Sequence, residues 1–154
     1  MPDDTLLAFD YGTQFIGVAI GNTLSGQARP LEVFPNTTRD ARFGRVAQLL
    51  QDWQPTRLVV GLALDGDGGE LPMTAQCRRF AQQLNGRFGL PVDLVDERGT
   101  SMAAQQAMGR RAGQRVDAVA AAIILQDYLD ARRSAAAGGA SIQHSMARRA
   151  FPEE

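Results

Sequence analysis

The sequence predicts an α/β protein built on a five-stranded mixed sheet, three strands in an antiparallel meander and two parallel, with helices on both faces. Three observations carry that expectation. Two apolar runs, residues 6–9 and 15–20, flank a turn at Gly12-Thr13, which is how a β-hairpin reads. Beyond residue 35 the apolar pattern switches back and forth between helical and strand spacing, the signature of βα units. The first and the fifth apolar strands both run into acidic residues, Asp10 and Asp96-Glu97, and sheets of this kind gather their chemistry outside the carboxyl ends of the strands.

After the hairpin, residues 29–35 (RPLEVFP) form a third, shorter strand. Thr37 or Thr38 then caps a helix to about Trp53, with Phe43, Val46, Ala47, Leu50 and Trp53 on its apolar face. Pro55 punctuates, and residues 57–62 (RLVVGL) make a buried-type strand. The glycine-rich stretch 64–70 (LDGDGGE) is a loop. Met73, Cys77, Phe80, Ala81, Leu84 and Phe88 recur at helical spacing, and Gly89 stops that helix. Residues 91–95 (PVDLV) are the fifth strand, and Thr100 or Ser101 caps a short helix to about Met108. A basic, glycine-containing break at 109–114 leads to the last helix, residues 115–131, so apolar through 118–125 that it is expected to lie buried within the domain. Residues 1–133 are read as one domain and 134–154 as an Ala/Gly/Arg-rich flexible tail with at most a short helix.

Composition narrows the functional classes. At 154 residues, 44% apolar and 21% charged, the chain suffices for a single hydrophobic core. All 16 basic residues are arginine. No apolar run approaches the roughly 20 residues that cross a bilayer, and no signal-peptide pattern opens the chain. One cysteine, Cys77, excludes an internal disulfide framework and a cysteine-based zinc site, so a cytoplasmic setting is expected. The net charge of −1 argues against indiscriminate nucleic-acid binding, yet its distribution is uneven. Residues 1–77 hold 5 Arg against 9 acids and residues 78–154 hold 11 against 8, which allows a local basic surface in the second half.

Asp10, Glu97 and Asp117 are the residues on which chemistry can be built. Each has a plain explanation when taken alone. Asp10 suits a turn, Glu97 can pair with Arg98 or Arg115, and Asp117 complements the dipole of the last helix. Together they stand at two strand ends and one helix start, all within dense apolar sequence. Carboxylates gathered in such surroundings repel unless a cation lies among them. Mg²⁺ or Mn²⁺ are the natural occupants, since they take oxygen ligands and keep positions open for water and phosphate oxygens. Two such ions can activate a water and stabilise the leaving 3′ oxygen of a phosphodiester. His144, the only histidine, lies in the tail, which disfavours a Ser-His or Cys-His nucleophile. The Asp65–Glu70 run lacks EF-hand spacing, and no Walker A sequence is present.

Four segments resemble the YqgF (RuvX) family of bacterial proteins with a ribonuclease H-like fold: LLAFDYGTQFIGVAIG, LVVGLAL, VDERGTS and RVDAVAAAIIL. They occur in family order and cover about residues 5 to 130. The resemblance implies that Asp10, Glu97 and Asp117 form the catalytic, metal-binding acidic triad. It implies a nuclease for the 5′ end of pre-16S rRNA, with resolution of Holliday junctions as the alternative. Three positions depart from the family pattern: Gln14 for a basic residue, Ala63 for Pro and Gly99 for Leu.

On this reading Gly12 and Thr13 lie against substrate, and Arg98, Arg110, Arg111 and Arg115 grip phosphates by charge. The partner is structured RNA (pre-rRNA) or branched DNA, and the chain is a monomer or a homodimer. A junction resolvase favours a two-fold dimer, because symmetric cuts need paired sites. Two other classes compete. A nucleotide phosphotransferase also opens with Asp-x-Gly-Thr but needs two such lobes, and a non-catalytic RNA-binding module would tolerate Asp10→Asn. The Arg148-Arg149 pair in the tail offers a further contact to RNA backbone.

Overall fold

The structure is a computed structural model that describes residues 4–63, 69, 71–96 and 113–138, with side chains of the last helix described over 118–133. Its elements are β1 (Thr5–Tyr11), β2 (Phe15–Asn22), β3 (Gln27–Pro35), α1 (Arg39–Trp53), β4 (Arg57–Leu62), α2 (Pro72–Phe88), β5 (Val92–Asp96) and α3 (Gly113–Gly138). The strands form one sheet in the order β3-β2-β1-β4-β5. β1, β2 and β3 pair antiparallel, while β4 runs parallel to both β1 and β5. This is the meander plus parallel pair expected from sequence. A register shift at Val18/Ala19 interrupts the β2–β3 ladder.

Strand alternation divides the core into two. Leu7, Phe9, Val18, Leu58, Val60 and Leu94 face one side, where Phe43, Val46 and Leu49 of α1 and Cys77, Phe80, Ala81 and Leu84 of α2 cover them. Leu6, Ala8, Ala19 and Val59 face the other side and meet Ala121, Ile124, Leu125, Tyr128 and Leu129 of α3. The α3 side is lined by small residues, so the helix lies close to the sheet. A Cβ on Gly21 would come 2.9 Å from a Leu125 methyl and 3.1 Å from one of Leu129.

Local chemistry accounts for the boundaries. Thr38 caps α1 with its side chain accepting from the Ala41 amide, and Gln54 ends the helix in the left-handed region at φ 48°. Gly89 at φ 71° ends α2, as its lack of a Cβ allows. At the start of α2 the buried Thr74 hydroxyl accepts from the Leu71 amide at 2.8 Å and donates to the Ala63 carbonyl, tying the helix to the end of β4.

Several sequence expectations need correction. In α1, Ala47 and Trp53 are exposed and Leu49 is buried, because the face touching the sheet follows Phe43, Val46 and Leu49 at three-residue steps. The third strand starts earlier, at Gln27. The last helix is not buried on every side. Val119, Ala122 and Ile123 are half-buried and Asp127 and Asp130 exposed, so among the described residues it packs on one face of the sheet. It also continues past Ala131 to Gly138, into the stretch read as tail. The 64–68 part of the loop, the helix expected at 100–108 and the rest of the tail lie outside the described residues.

Candidate active site

Asp10 is the penultimate residue of β1, the central strand, and is buried at 8% exposure. Alternation along the strand puts it on the α3 side, following Leu6 and Ala8. A carboxylate in that position is held in low dielectric unless something polar answers it. Its neighbours on both sides lack side chains. Gly17 is its partner on β2, and the β1–β4 register that pairs Phe9 with Val60, continued one step, sets Gly61 beside it on β4.

The parallel ladder pairs Leu62 with Asp96, so β5 ends level with β4 at the same edge as Asp10. Glu97 is the next residue and lies outside the described residues. Asp117 belongs to the early part of α3, whose side chains begin to be described at Ala118. The direction of α3 is nevertheless set by its later residues. Gln126 accepts from the Ala28 amide at 2.9 Å and donates to the Gly26 carbonyl at 2.8 Å, at the start of β3 and in the turn before it, at the far end of β2. Helical rise from 126 back to 117 is about 13 Å, and Thr5 to Asp10 spans about 16 Å along β1. The backbone of α3 at residue 117 thus approaches the carboxyl ends of the parallel strands. Among the described residues no group of three His, Cys, Asp or Glu gathers as a metal site, and Asp10 is the triad member whose side chain is described.

The turn after Asp10 is tightly built. A Cβ on Gly12 would fall 2.7 Å from the Phe15 carbonyl oxygen, so only glycine lets the chain fold back there. Asn36, which follows β3, donates its side-chain amide to the Gly12 carbonyl at 2.7 Å and its backbone amide to the Gln14 carbonyl at 2.9 Å. Its Oδ1 accepts from Arg42 Nε at 2.8 Å. Thr13 and Gln14 are exposed at the tip. Arg98, Arg110 and Arg111 lie outside the described residues, and Arg115 belongs to α3 with its side chain not described.

Sequence reasoning passed over Asn36 and Arg42, whose role appears only when β3 returns beside the turn. It also passed over a buried network at the opposite end of the sheet. Asp93, 1% exposed, accepts from the Tyr128 hydroxyl and from Arg57 at 3.1 Å, and Arg132 donates to the Tyr128 oxygen at 3.0 Å. Burial, then the bond to Asp93, pushes the Tyr128 hydroxyl up to about 12. The acidic residue within the apolar strand 91–95 was the available signal.

A family model described as RuvX, Holliday junction resolvase, matches residues 4–131. A protein of Bordetella petrii named as a candidate pre-16S rRNA nuclease is 66% identical over 131 residues, covering 85% of this chain and 98% of that one. A Cupriavidus necator protein of the same name is 55% identical over 128 residues, covering 83% and 89%. Among solved structures, Thermus thermophilus RuvC in complex with Holliday junction substrate superimposes with a TM-score of 0.54 at 20% identity, over 85% of this chain and 96% of that one. That likeness identifies the fold as ribonuclease H-like. With its sheet order, its buried strand-end aspartate and a family match over nearly all of the described residues, the chain belongs to the RuvX family.

Proposed function

We propose that this protein is a metal-dependent nuclease that hydrolyses phosphodiester bonds in structured RNA, at the 5′ end of pre-16S rRNA in the cytoplasm. The observation that carries the reading is Asp10, a buried carboxylate near the end of the central strand, paired with Gly17 on the neighbouring one. The names of the relatives support the choice of substrate. Asp10, Glu97 and Asp117 are the residues that would hold Mg²⁺ or Mn²⁺, and their all-oxygen donor set suits those ions. When bound, the ions supply an activated water and a counter-charge for the leaving oxygen. The turn at Gly12-Thr13 presents backbone to the substrate beside the carboxylate. Arg98, Arg110, Arg111 and Arg115 hold phosphates as charges.

The test compares cleavage of a pre-16S leader RNA with that of a four-way DNA junction, in Mg²⁺ or Mn²⁺, for the wild type, Asp10→Asn and Asp117→Asn. Metal-dependent cutting of the RNA, lost by at least ~10²-fold in both variants, is the expected result. Exclusive cutting of the junction would favour the resolvase reading, which the family's description supports. Undiminished cutting by Asp10→Asn would remove the site altogether.

A further inference from the structure

The layer formed by α1 and α2 carries charge that the candidate site does not use. α1 contributes Arg39, Arg42 and Arg45 against Asp40 and Asp52, and α2 contributes Arg78, Arg79 and Arg87 with no acidic residue. The whole chain is net −1, so this excess is concentrated on one layer. Helix electrostatics do not favour its placement. Arg39 opens α1 and Arg42 follows one turn later, where the positive end of the dipole repels cations. A face serving solubility alone mixes the two signs, and α2 does not.

The arginines differ in what holds them. Arg45 is committed to Glu32, with Nε 2.8 Å from the carboxylate. Arg39, Arg79 and Arg87 are exposed. The Arg87 guanidinium lies 4.2 Å from the centre of the Phe43 ring, and that of Arg42 lies 5.6 Å from the same centre. Arg42 also stands 5.9 Å from the Tyr11 ring and bonds Asn36, which grips the Gly12 carbonyl. The guanidiniums of Arg42 and Arg87 therefore meet over Phe43, the first beside the turn that follows Asp10, and Arg39 and Arg79 add exposed charge to the same two helices. Guanidiniums steadied by aromatic rings keep their N–H edges available and lose less freedom when an anion binds.

We propose that this arginine-bearing layer of α1 and α2 is a docking surface for the phosphate backbone of a double-helical RNA stem, engaged outside the cleavage site and read by charge rather than by base. The choice of RNA rests on the nuclease reading, whereas the charge argument does not.

Binding of the full chain to an RNA stem-loop, measured by fluorescence anisotropy in EDTA over a range of salt, tests the proposal without any cleavage. The combined Arg39→Gln, Arg79→Gln and Arg87→Gln protein should keep its melting temperature and bind roughly 10-fold or more weakly. Its plot of log affinity against log salt should flatten by about 2–3, close to one per lost contact. Arg79→Gln alone, flattening the plot by about 1, replaces the triple substitution if that protein does not fold. Unchanged affinity and slope in a folded variant would overturn the proposal, as would a loss confined to a DNA duplex of the same sequence. A wild type that never cuts RNA yet shows the arginine-dependent slope would uphold this surface while the nuclease reading fails.

Discussion

Asp10 concentrates the physical argument at the residue scale. A carboxylate at 8% exposure on the most central strand has no packing reason to be there, since an apolar residue would fill the position at less cost. Asp10→Asn keeps the shape and removes the charge, so the fold should survive while turnover is lost. Gly12 is the complementary case, where backbone rather than charge decides. Gly12→Ala places a methyl 2.7 Å from the Phe15 oxygen, and the chain must shift to admit it. Chemical denaturation should show a loss of about 1–3 kcal/mol, and an unchanged midpoint would mean that the turn is looser than its contacts imply. Both residues were legible in sequence, because a charge ending an apolar strand and a glycine after it are local signals. Asn36 and Arg42 were not, because their function depends on β3 bringing residue 36 back beside residue 12.

α3 shows at the element scale how far periodicity reaches. Its existence and its apolar stretch were plain from Ala118 to Leu125, but its length and its exposed positions were not. A helix rich in alanine reads the same whether wrapped or laid across a sheet of small residues. In α1 the same limit misassigned Ala47 and Trp53. Apolar residues supply more than one helical stripe there, and the sheet selected the one through Leu49. What anchors the far half of α3 is the Tyr128–Asp93 bond, seated under Arg57 and Arg132. Its pH dependence has a definite sign. Tyr128 has its hydroxyl pushed up to about 12 in the folded chain, against about 10 when unfolded. The stabilisation is complete below about pH 10 and is lost as pH rises toward 12, by roughly 2–3 kcal/mol in all. The chain has no lysine and only two tyrosines, so the limb is readable. Urea midpoints measured from pH 8 to pH 12 should fall over the upper half of that range. In Tyr128→Phe that fall should largely vanish, and an identical fall in both proteins would show that the hydroxyl is not the group responsible.

The whole molecule was legible as a topology before it was legible as a surface. Strand order follows from the meander and the crossovers, since sequential hairpins pair and right-handed βα units place the next strand alongside. Surface charge does not follow from position along the chain. Dividing the sequence at residue 77 put α1 in the acidic half and split α2, although together they form the most one-sided basic layer among the described residues. The acidic triad poses the same problem in a stronger form. Residues 10, 97 and 117 are far apart in sequence, and the proposed partnership would depend on the parallel register of β1, β4 and β5 and on the direction of α3. Replacing Mg²⁺ with Fe²⁺ and adding ascorbate and peroxide generates hydroxyl radicals at the bound ion, which cut the backbone nearest to it. If these three residues hold the ion, cuts should cluster around residues 10, 97 and 117 and be suppressed by Asp10→Asn. Cuts confined to the acidic loop at 65–70, or a pattern indifferent to Asp10→Asn, would contradict that assignment.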